Sequence, residues 1–244
     1  MELVKSYFGV GVIYDTHSAN VSQFRVQVVK DLDVIIKHFD KYPLVSQKRE
    51  DYILFREILE IIKAKDHLTN EGFIRLLSLK NSMNLGLSLE LKQKFPDLEQ
   101  IARTELKVIT VHNPQWVSGF TTGEGCFSVS VESAQTAALK YTARTRFILI
   151  QHKRDNLLMG SFKEYFKCGS VVLSKDASSF MVNNISELND NILAFFNKYP
   201  IKGKKYLDYL DFCKVVKLKL NKGHLTEEGL NEIRSIANSM NSKR

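Results

Sequence analysis

The sequence predicts an α+β protein built from two copies of one unit, each an antiparallel sheet packed against helices. The first observation is an internal repeat, because residues 39–84 match residues 196–241 without a gap at an offset of 157. The second is a change of period along each copy, from alternating apolar and polar residues to apolar residues at helical spacing. Two copies of one unit in a chain imply a pseudo-twofold molecule made of two similar subdomains.

The repeat is defined by short motifs that recur at this offset. The recurring motifs are Lys41-Tyr42-Pro43 and Lys198-Tyr199-Pro200, Lys48 and Lys205, His67-Leu68-Thr69 and His224-Leu225-Thr226, and Ser82-Met83-Asn84 and Ser239-Met240-Asn241. With small gaps, Tyr7-Phe8 and Gly11 also correspond to Tyr165-Phe166 and Gly169. The second copy has 46 residues, 113–158, before this match, and this sequence has no counterpart to them. We therefore expect the first copy to be incomplete at its N-terminus.

In the first copy, the pattern predicts two strands followed by helices. The predicted strands are Tyr7–Tyr14 and Gln23–Val29, and the predicted helices are Asp31–Lys41, Lys48–Lys65, Thr69 to about Met83, and Leu87–Lys94. We assign residues 1–96 to the incomplete first subdomain. Residues 97–112 have few turn residues but mixed charge, and they are predicted to form a linker.

The second copy, residues 113–244, is predicted to be a complete subdomain in the order α-β-β-α-β-β-α-α-α. A helix over Pro114–Thr122 is predicted to break at Gly123-Glu124-Gly125 and to lead into a strand over Cys126–Glu132. The remaining predictions are strands at Tyr141–His152 and near Ser170–Ser174 and Phe180–Asn184, and helices at Lys153–Lys167, Glu187–Lys198, Tyr206–Asn221 and Thr226–Met240.

Composition excludes several classes of protein. The chain has 244 residues and a formal net charge of +8, which makes a polyanionic partner plausible. Its three cysteines show no CxxC spacing, so no disulfide framework or zinc site is expected. No apolar run approaches the roughly 18 residues of a membrane helix, and no membrane partner is expected. The first residues match neither a signal peptide nor an Arg-rich transit peptide.

Polar side chains are predicted to share one face of the sheet. They are Gln23, Arg25 and Gln27 in the first copy, and Ser128, Ser130, Glu132, Arg144 and Arg146 in the second. Gln, Arg and Ser hydrogen-bond base edges in a DNA major groove, which is wide enough for a two-stranded ribbon. A solvated sheet face is the alternative that the pattern leaves open. Likewise, Glu124, at the predicted junction between a helix and a strand, is either a carboxylate for a metal or a solvated turn residue.

The stretch WVSGFTTGEGCFSVSV, residues 116–131, resembles the second signature motif of the LAGLIDADG homing endonucleases in their double-motif form from fungal mitochondrial introns. The resemblance continues through KYPL-x-x-QK, the HLT-x-EG segments and NSMN, and it covers nearly the whole chain. It implies a pseudo-twofold pair of αββαββα-type subdomains with antiparallel DNA-binding sheets. It also implies a location in the mitochondrion.

The resemblance also implies roles for individual residues. In the family, each signature helix ends in a carboxylate, and the two carboxylates share divalent metals that activate water. Glu124 matches the metal-binding acid of the second motif, and the carbonyl of Gly123 matches an accompanying metal contact. Lys48 and Lys205 match lysines near the scissile phosphates. Gln47 is a polar residue beside Lys48 that we expect to hold water, although its repeat counterpart is Lys204. The implied cofactor is Mg²⁺, with Ca²⁺ or Mn²⁺ as substitutes. From the residues alone, a charge exposed to solvent is the alternative role for each lysine.

One departure from the family pattern concerns the first motif, which this sequence does not contain. We expect a separate short polypeptide that carries the first LAGLIDADG motif, a second copy of the chain, or a loss of cleavage with binding retained. The expected function is a site-specific, metal-dependent DNA endonuclease or the larger fragment of a split one. The alternatives are an RNA-binding maturase that splices introns, and a nucleic-acid-binding or structural relative that does not cut.

Overall fold

The computed structural model describes residues 1–16, 21–103 and 109–241. The chain divides into two compact units, Met1–Lys107 (unit 1) and Val108–Arg244 (unit 2). The boundary lies inside the predicted linker, of which residues 104–108 are outside the described residues. Among the described residues, no helix is both long and apolar enough to cross a membrane.

Unit 1 contains a two-stranded antiparallel sheet and five helices within its described residues. In chain order these are α1 Glu2–Phe8, β1 Val12–Thr16, β2 Val21–Arg25, α2 Val29–Lys41, α3 Lys48–Lys63, α4 Asn70–Ser82 and α5 Leu89–Lys94. The helices predicted after the sheet are present, with bounds shifted by a few residues. Thr69 caps α4 as predicted, because its hydroxyl accepts a hydrogen bond from the backbone N–H of Gly72.

The first predicted strand of unit 1 is wrong at its start. Residues up to Phe8 form helix α1, which Gly9 ends in the left-handed conformation with φ 68°. The strand begins only at Val12. The second predicted strand is too long at its C-terminal end, because β2 ends at Arg25 and helix α2 already begins at Val29.

Unit 2 contains a four-stranded antiparallel sheet in the order β3-β4-β6-β5. Its elements are α6 Pro114–Glu124, β3 Gly125–Ser133, β4 Tyr141–His152, α7 Asn156–Phe166, β5 Ser170–Leu173, β6 Ala177–Val182, α8 Ile185–Glu187, a π-helix Leu188–Leu193, α9 Ala194–Lys198, α10 Lys205–Leu220 and α11 Glu227–Asn238. Counting residues 185–198 as one continuous helix, this is the predicted order, and the α+β class is confirmed.

The predicted helix break at Gly123 is wrong. Helix α6 continues through Gly123 and Glu124, and the chain passes directly into β3 at Gly125. Only glycine fits at this junction, because a Cβ atom on Gly125 would lie 2.5 Å from Cγ2 and 2.7 Å from the carbonyl oxygen of Thr121. The glycine that matters is therefore the one after Glu124, and its role is close packing.

Aromatic side chains form the centre of unit 2. Phe127 of β3 is fully buried, and its ring lies 5.3–5.7 Å from four others: Phe147, Phe196, Tyr209 and Phe212. Helix α6 is packed on α7 through aromatic rings, because Phe162 is stacked on Trp116 at 6.1 Å and lies 5.4 Å from the tilted ring of Phe120. These contacts bury one face of the sheet against helices, as the alternation in the strands predicts.

The repeat is visible in equivalent hydrogen bonds within each unit. The hydroxyl of Tyr52 donates to the carbonyl of Ile36, and that of Tyr209 donates to the carbonyl of Leu193. A buried carboxylate at the start of the following helix accepts from the backbone N–H of an asparagine at 3.0 Å in both units. These pairs are Asp51 with Asn84 and Asp208 with Asn241.

The offset between the copies changes along the chain, and sequence comparison identified this change for the first strand of the hairpin but not for the second. A Cβ on Gly11 would contact Phe24 and the carbonyl of Arg25, and a Cβ on Gly169 would contact Phe180 and the carbonyl of Met181. These contacts give an offset of 158 for the first strand of each hairpin and 156 for the second, against 157 for the later helices. Unit 2 therefore has one extra residue before Phe196, and the π-helix absorbs it.

His38 of unit 1 lies among four aromatic rings whose centroids are 5.1–5.4 Å away: Tyr7, Phe8, Phe39 and Tyr42. Unit 2 has Phe195 at the equivalent position, and Phe195 contacts the four equivalent rings: Tyr165, Phe166, Phe196 and Tyr199. Unit 1 thus carries a titratable ring where unit 2 carries an apolar one. Burial lowers the pKa of His38.

We expect unit 1 to lose stability as the pH falls below about 6.5. Because the pKa of His38 is lowered in the folded state, the unfolded chain binds the proton more tightly and acid favours unfolding. Hydrogen–deuterium exchange of peptides from α1 and α2, corrected for the intrinsic effect of pH, measures this loss. His38→Phe should remove most of the pH dependence, and Phe195→His should introduce one in unit 2. Equal pH dependence in the wild type and His38→Phe would contradict the assignment.

Candidate nucleic-acid interface and metal-binding corner

The C-terminal end of helix α6 is held in place by the segment between α9 and α10. The hydroxyl of Ser118 donates to the carbonyls of Tyr199 at 3.0 Å and Pro200 at 2.9 Å. One turn later, the hydroxyl of Thr122 accepts from the backbone N–H of Lys202 at 3.3 Å. These bonds fix the position of Glu124, the last residue of the helix, whose side chain is exposed.

The corner is the junction of α6 and β3, formed by Gly123, Glu124 and Gly125. The side chain of Lys205, the first residue of α10, reaches this corner. Its ammonium donates to the carbonyl of Gly123 at 3.2 Å and to that of Gly125 at 2.5 Å. A cation at the C-terminal end of a helix is favourable, because the last carbonyls have no partner inside the helix. Burial lowers the pKa of Lys205, while nearby Cys126, Glu124 and Asp208 oppose that shift. The structure thus brings together Gly123, Glu124 and Lys205.

Asn241, which sequence reasoning missed, forms hydrogen bonds beside the corner. The amide of Asn241 donates to the carbonyl of Phe127 at 3.3 Å, and its backbone N–H donates to Asp208. Its side-chain oxygen lies 3.9 Å from the sulfur of Cys126, and burial raises the pKa of that thiol. Two recurrences at the offset of 157 could have identified this group: that of Asp51 as Asp208 and that of Asn84 as Asn241.

The corner offers two kinds of oxygen ligand to a divalent metal, the Glu124 carboxylate and the Gly123 carbonyl. Within the part of the chain that the structure describes, no group of three or more His, Cys, Asp or Glu side chains is placed to hold a metal ion. Mg²⁺ commonly binds through one or two carboxylates and takes its other ligands from substrate phosphates and water. The residues present therefore fit a metal whose coordination is completed by a bound phosphate.

In unit 1, Gln47 and Lys48 lie at the start of α3, as Lys205 lies at the start of α10 in unit 2. The side chain of Lys48 is exposed, and its backbone N–H donates to the hydroxyl of Ser46 at 3.4 Å. The two matched lysines therefore occupy the same position on equivalent helices. Within its described residues, unit 1 has neither a counterpart of α6 nor counterparts of β3 and β4.

The polar residues predicted on the sheet of unit 2 share one face, opposite buried Phe127 and Phe147. In the register of β3 and β4, Ser128 pairs with Arg146 and Ser130 with Arg144. Glu132 contacts both arginines, with its carboxylate 2.7 Å from Nε of Arg144 and 3.6 Å from Nη2 of Arg146. The hydroxyl of Ser130 donates to the same carboxylate at 2.9 Å.

The corresponding face of unit 1 is smaller. The guanidinium of Arg25 donates through Nε to the side-chain oxygen of Gln23 at 3.0 Å and lies 5.2 Å from the ring centroid of Tyr14. Gln27 is exposed but lies beyond the end of β2, so its predicted position on the strand is wrong. The alternation of the sequence continues past Arg25, whereas the strand does not.

The chain is similar to known proteins along most of its length. The family model described as LAGLIDADG endonuclease matches residues 1–59 and 117–216. A probable intron-encoded endonuclease 3 of Neurospora crassa is 36% identical over 235 residues, covering 95% of this chain and 44% of that protein. A probable intron-encoded endonuclease 2 of the same fungus is 32% identical over 252 residues, covering 98% of this chain and 54% of that protein. The chain spans about half the length of these curated relatives.

Solved structures give the same result. The I-SmaMI LAGLIDADG homing endonuclease bound to cleaved DNA has a TM-score of 0.96 and 36% identity, covering 100% of this chain and 82% of that one. Another I-SmaMI structure, bound to an uncleaved DNA target in the presence of calcium ions, has a TM-score of 0.94 and 36% identity, covering 98% of this chain and 82% of that one. Because the family model matches well over half of its residues, the chain belongs to the LAGLIDADG endonuclease family.

Proposed function

We propose that this chain is a site-specific, metal-dependent DNA endonuclease, or the larger fragment of a split one, that hydrolyses phosphodiesters in a long DNA target. The observation that carries the proposal is the corner where α6 ends, at which the Glu124 carboxylate and the half-buried Lys205 ammonium lie together. The names of the fungal relatives, which are intron-encoded endonucleases, support it. We further propose that the protein acts in the mitochondrion, because the double-motif form that it resembles comes from fungal mitochondrial introns.

A metal ion bound at Glu124 would polarise the scissile phosphate and lower the pKa of a bound water. Magnesium is the proposed ion, with calcium or manganese as substitutes at the same oxygens. Lys205 holds a positive charge at the corner, where it can stabilise the charge that develops on the phosphate. We propose that Lys48 does the same in unit 1, beside Gln47, which can hold a water.

The polar sheet faces are the proposed DNA-reading surfaces. Their residues are Gln23 and Arg25 in unit 1, and Ser128, Ser130, Glu132, Arg144 and Arg146 in unit 2. Arginine is the side chain that most often reads guanine in the major groove, and serine accepts or donates to several bases. Gln27 lies in the connection to α2, and we propose that it contacts the DNA from there.

Unit 1 needs a further segment to resemble unit 2. Phe180 of β6 is fully buried and contacts Phe147 of β4, whereas its equivalent Phe24 is only half-buried in the described part of a two-stranded sheet. We propose that a helix and two strands equivalent to residues 113–152 complete unit 1 and supply the second carboxylate. This segment would carry the first LAGLIDADG motif.

We expect the chain to cut both strands of a duplex when magnesium and the completing segment are both present. The duplex carries the joined exons that flank its intron, and cleavage is measured on a gel that separates nicked from fully cut DNA. The chain without that segment should bind this duplex without cutting both strands, because the second carboxylate is missing. If the chain does not cut DNA with the segment present and binds the intron RNA tightly, the proposed endonuclease is wrong and the chain is an RNA-binding maturase.

A further inference from the structure

We propose that Glu132 restrains sequence-independent DNA binding by compensating the charges of Arg144 and Arg146. This inference rests on the proposed function, since it concerns the same sheet face. It assigns to Glu132 a role in specificity, because Glu132 would lower the affinity for non-specific DNA, whereas an ordinary DNA contact raises affinity.

The geometry places one carboxylate between two guanidinium groups. One oxygen of Glu132 lies 2.7 Å from Nε of Arg144, and the other lies 3.6 Å from Nη2 of Arg146. The second oxygen also accepts a hydrogen bond from the hydroxyl of Ser130 at 2.9 Å, which fixes the carboxylate in this position. The register of β3 and β4 keeps these side chains adjacent on one face.

A single exposed ion pair contributes little to stability, because water screens it and long side chains lose freedom. Here one carboxylate faces two cations and is held by a hydroxyl, so the three charges form a local network. A DNA phosphate approaching either arginine must compete with Glu132. Arginines whose charge is already compensated bind phosphates less strongly, and therefore contribute less to sequence-independent affinity.

The pairing leaves the arginines able to read bases. A guanidinium has five N–H donors, and the carboxylate of Glu132 engages only part of them. Hydrogen bonds to the guanine edge require directed donors, whereas phosphate binding requires mainly net charge. Glu132 thus weakens the contact that carries no sequence information more than the contact that does, which raises the ratio of specific to non-specific binding.

Unit 1 provides an internal contrast. Arg25 is oriented by the neutral amide of Gln23 and by the ring of Tyr14, 5.2 Å away. Its position is fixed without any compensation of its charge by these two partners. One sheet face therefore holds its arginine through a neutral partner, and the other holds two arginines through an anion. We expect the charge of Arg25 to contribute to salt-dependent binding more fully than the charges of Arg144 and Arg146.

The test compares the full chain with the variants Glu132→Gln and Glu57→Gln. Gln has the shape of Glu without the charge, and the Glu132 side chain is 41% exposed, so both proteins should fold alike. Glu57 is the matched control, because it is 40% exposed and pairs with Arg75, which lies on helix α4 and not on a sheet face. Both substitutions change the net charge by the same amount. Glu132→Ala provides a second variant at the tested position.

The probe is a random-sequence duplex of about 40 base pairs, titrated without divalent metal between about 50 and about 300 mM KCl. We expect Glu132→Gln to bind it about three- to tenfold more tightly at about 100 mM salt, with a salt slope steeper by about one to two, since each freed arginine can add about 0.9. Glu57→Gln should stay within about twofold of the wild type, and Glu132→Ala should behave as Glu132→Gln.

Equal affinities of the wild type and Glu132→Gln would overturn the inference, as would an equal gain in Glu57→Gln, which would trace the effect to net charge alone. A loss of affinity in Glu132→Gln would also overturn it and would make Glu132 a direct DNA contact, such as an acceptor for a cytosine amino group. The proposed function fails separately, if the wild-type chain binds no duplex at any salt concentration.

Discussion

We expect Glu124→Gln to abolish metal-dependent DNA cutting, with a loss of at least about a hundredfold. Glutamine keeps the shape of the side chain but removes the anionic oxygen that a divalent metal requires. Because Glu124 is exposed at the end of α6, the substitution should leave the fold unchanged. DNA affinity measured in calcium should stay within about threefold of the wild type, because the sheet faces are untouched.

A matched control separates this effect from a general loss of charge. Glu164 is an exposed glutamate on α7, and Glu164→Gln should cut at the wild-type rate. The assay follows nicking and full cleavage of the target duplex with magnesium, using the chain in its completed form. Wild-type cutting by Glu124→Gln would show that another residue binds the metal. An equal loss of DNA affinity and cutting would give Glu124 a structural role instead.

Phe127→Ala should destabilise unit 2 by about 3–5 kcal/mol. The ring is fully buried and lies 5.3–5.7 Å from four others, so its removal deletes apolar contacts and leaves a cavity that rigid neighbours cannot fill. A loss of this size is a large part of the total stability of an ordinary domain. Phe127 also follows Gly125 by two residues, so the corner at Glu124 should become mobile in the variant.

Chemical denaturation followed by tryptophan fluorescence measures this loss directly, because Trp116 is the single tryptophan of the chain and lies in unit 2. Leu173→Ala is the control, since Leu173 is 61% exposed on β5 and should shift the free energy of unfolding by less than about 0.5 kcal/mol. Similar shifts in the two variants would mean that Phe127 does not hold the core together.

The order of helices and strands was predictable because burial imposes a period on the sequence. The alternation from Phe127 to Glu132 identified both the strand and its polar face, and the spacing of apolar residues identified the helices of each copy. Two errors came from glycines. Gly9 ends helix α1, which the spacing of apolar residues did not predict, whereas Gly123 lies inside helix α6, which it was expected to break. Glycine permits several conformations, and the neighbouring structure selects one.

The contacts of the corner and of the sheet face were less predictable. Lys205 was identified by its recurrence, but its bonds to the carbonyls of Gly123 and Gly125 depend on where α10 starts relative to α6. The double pairing of Glu132 depends on the register of β3 and β4, which the sequence of either strand does not specify alone. Gln27 shows the converse case, because the pattern continued where the strand had ended.

The π-helix of unit 2 separates two properties that usually change together in a helix, the number of residues and the phase of the side chains. An added residue in an α-helix would rotate everything after it by about 100°. Here the wider turn takes up that rotation, so Tyr209 still reaches Leu193 and Asn197 as Tyr52 reaches Ile36 and Asp40 in unit 1. Two copies of one unit can therefore differ in length while equivalent hydrogen bonds in their interiors are kept.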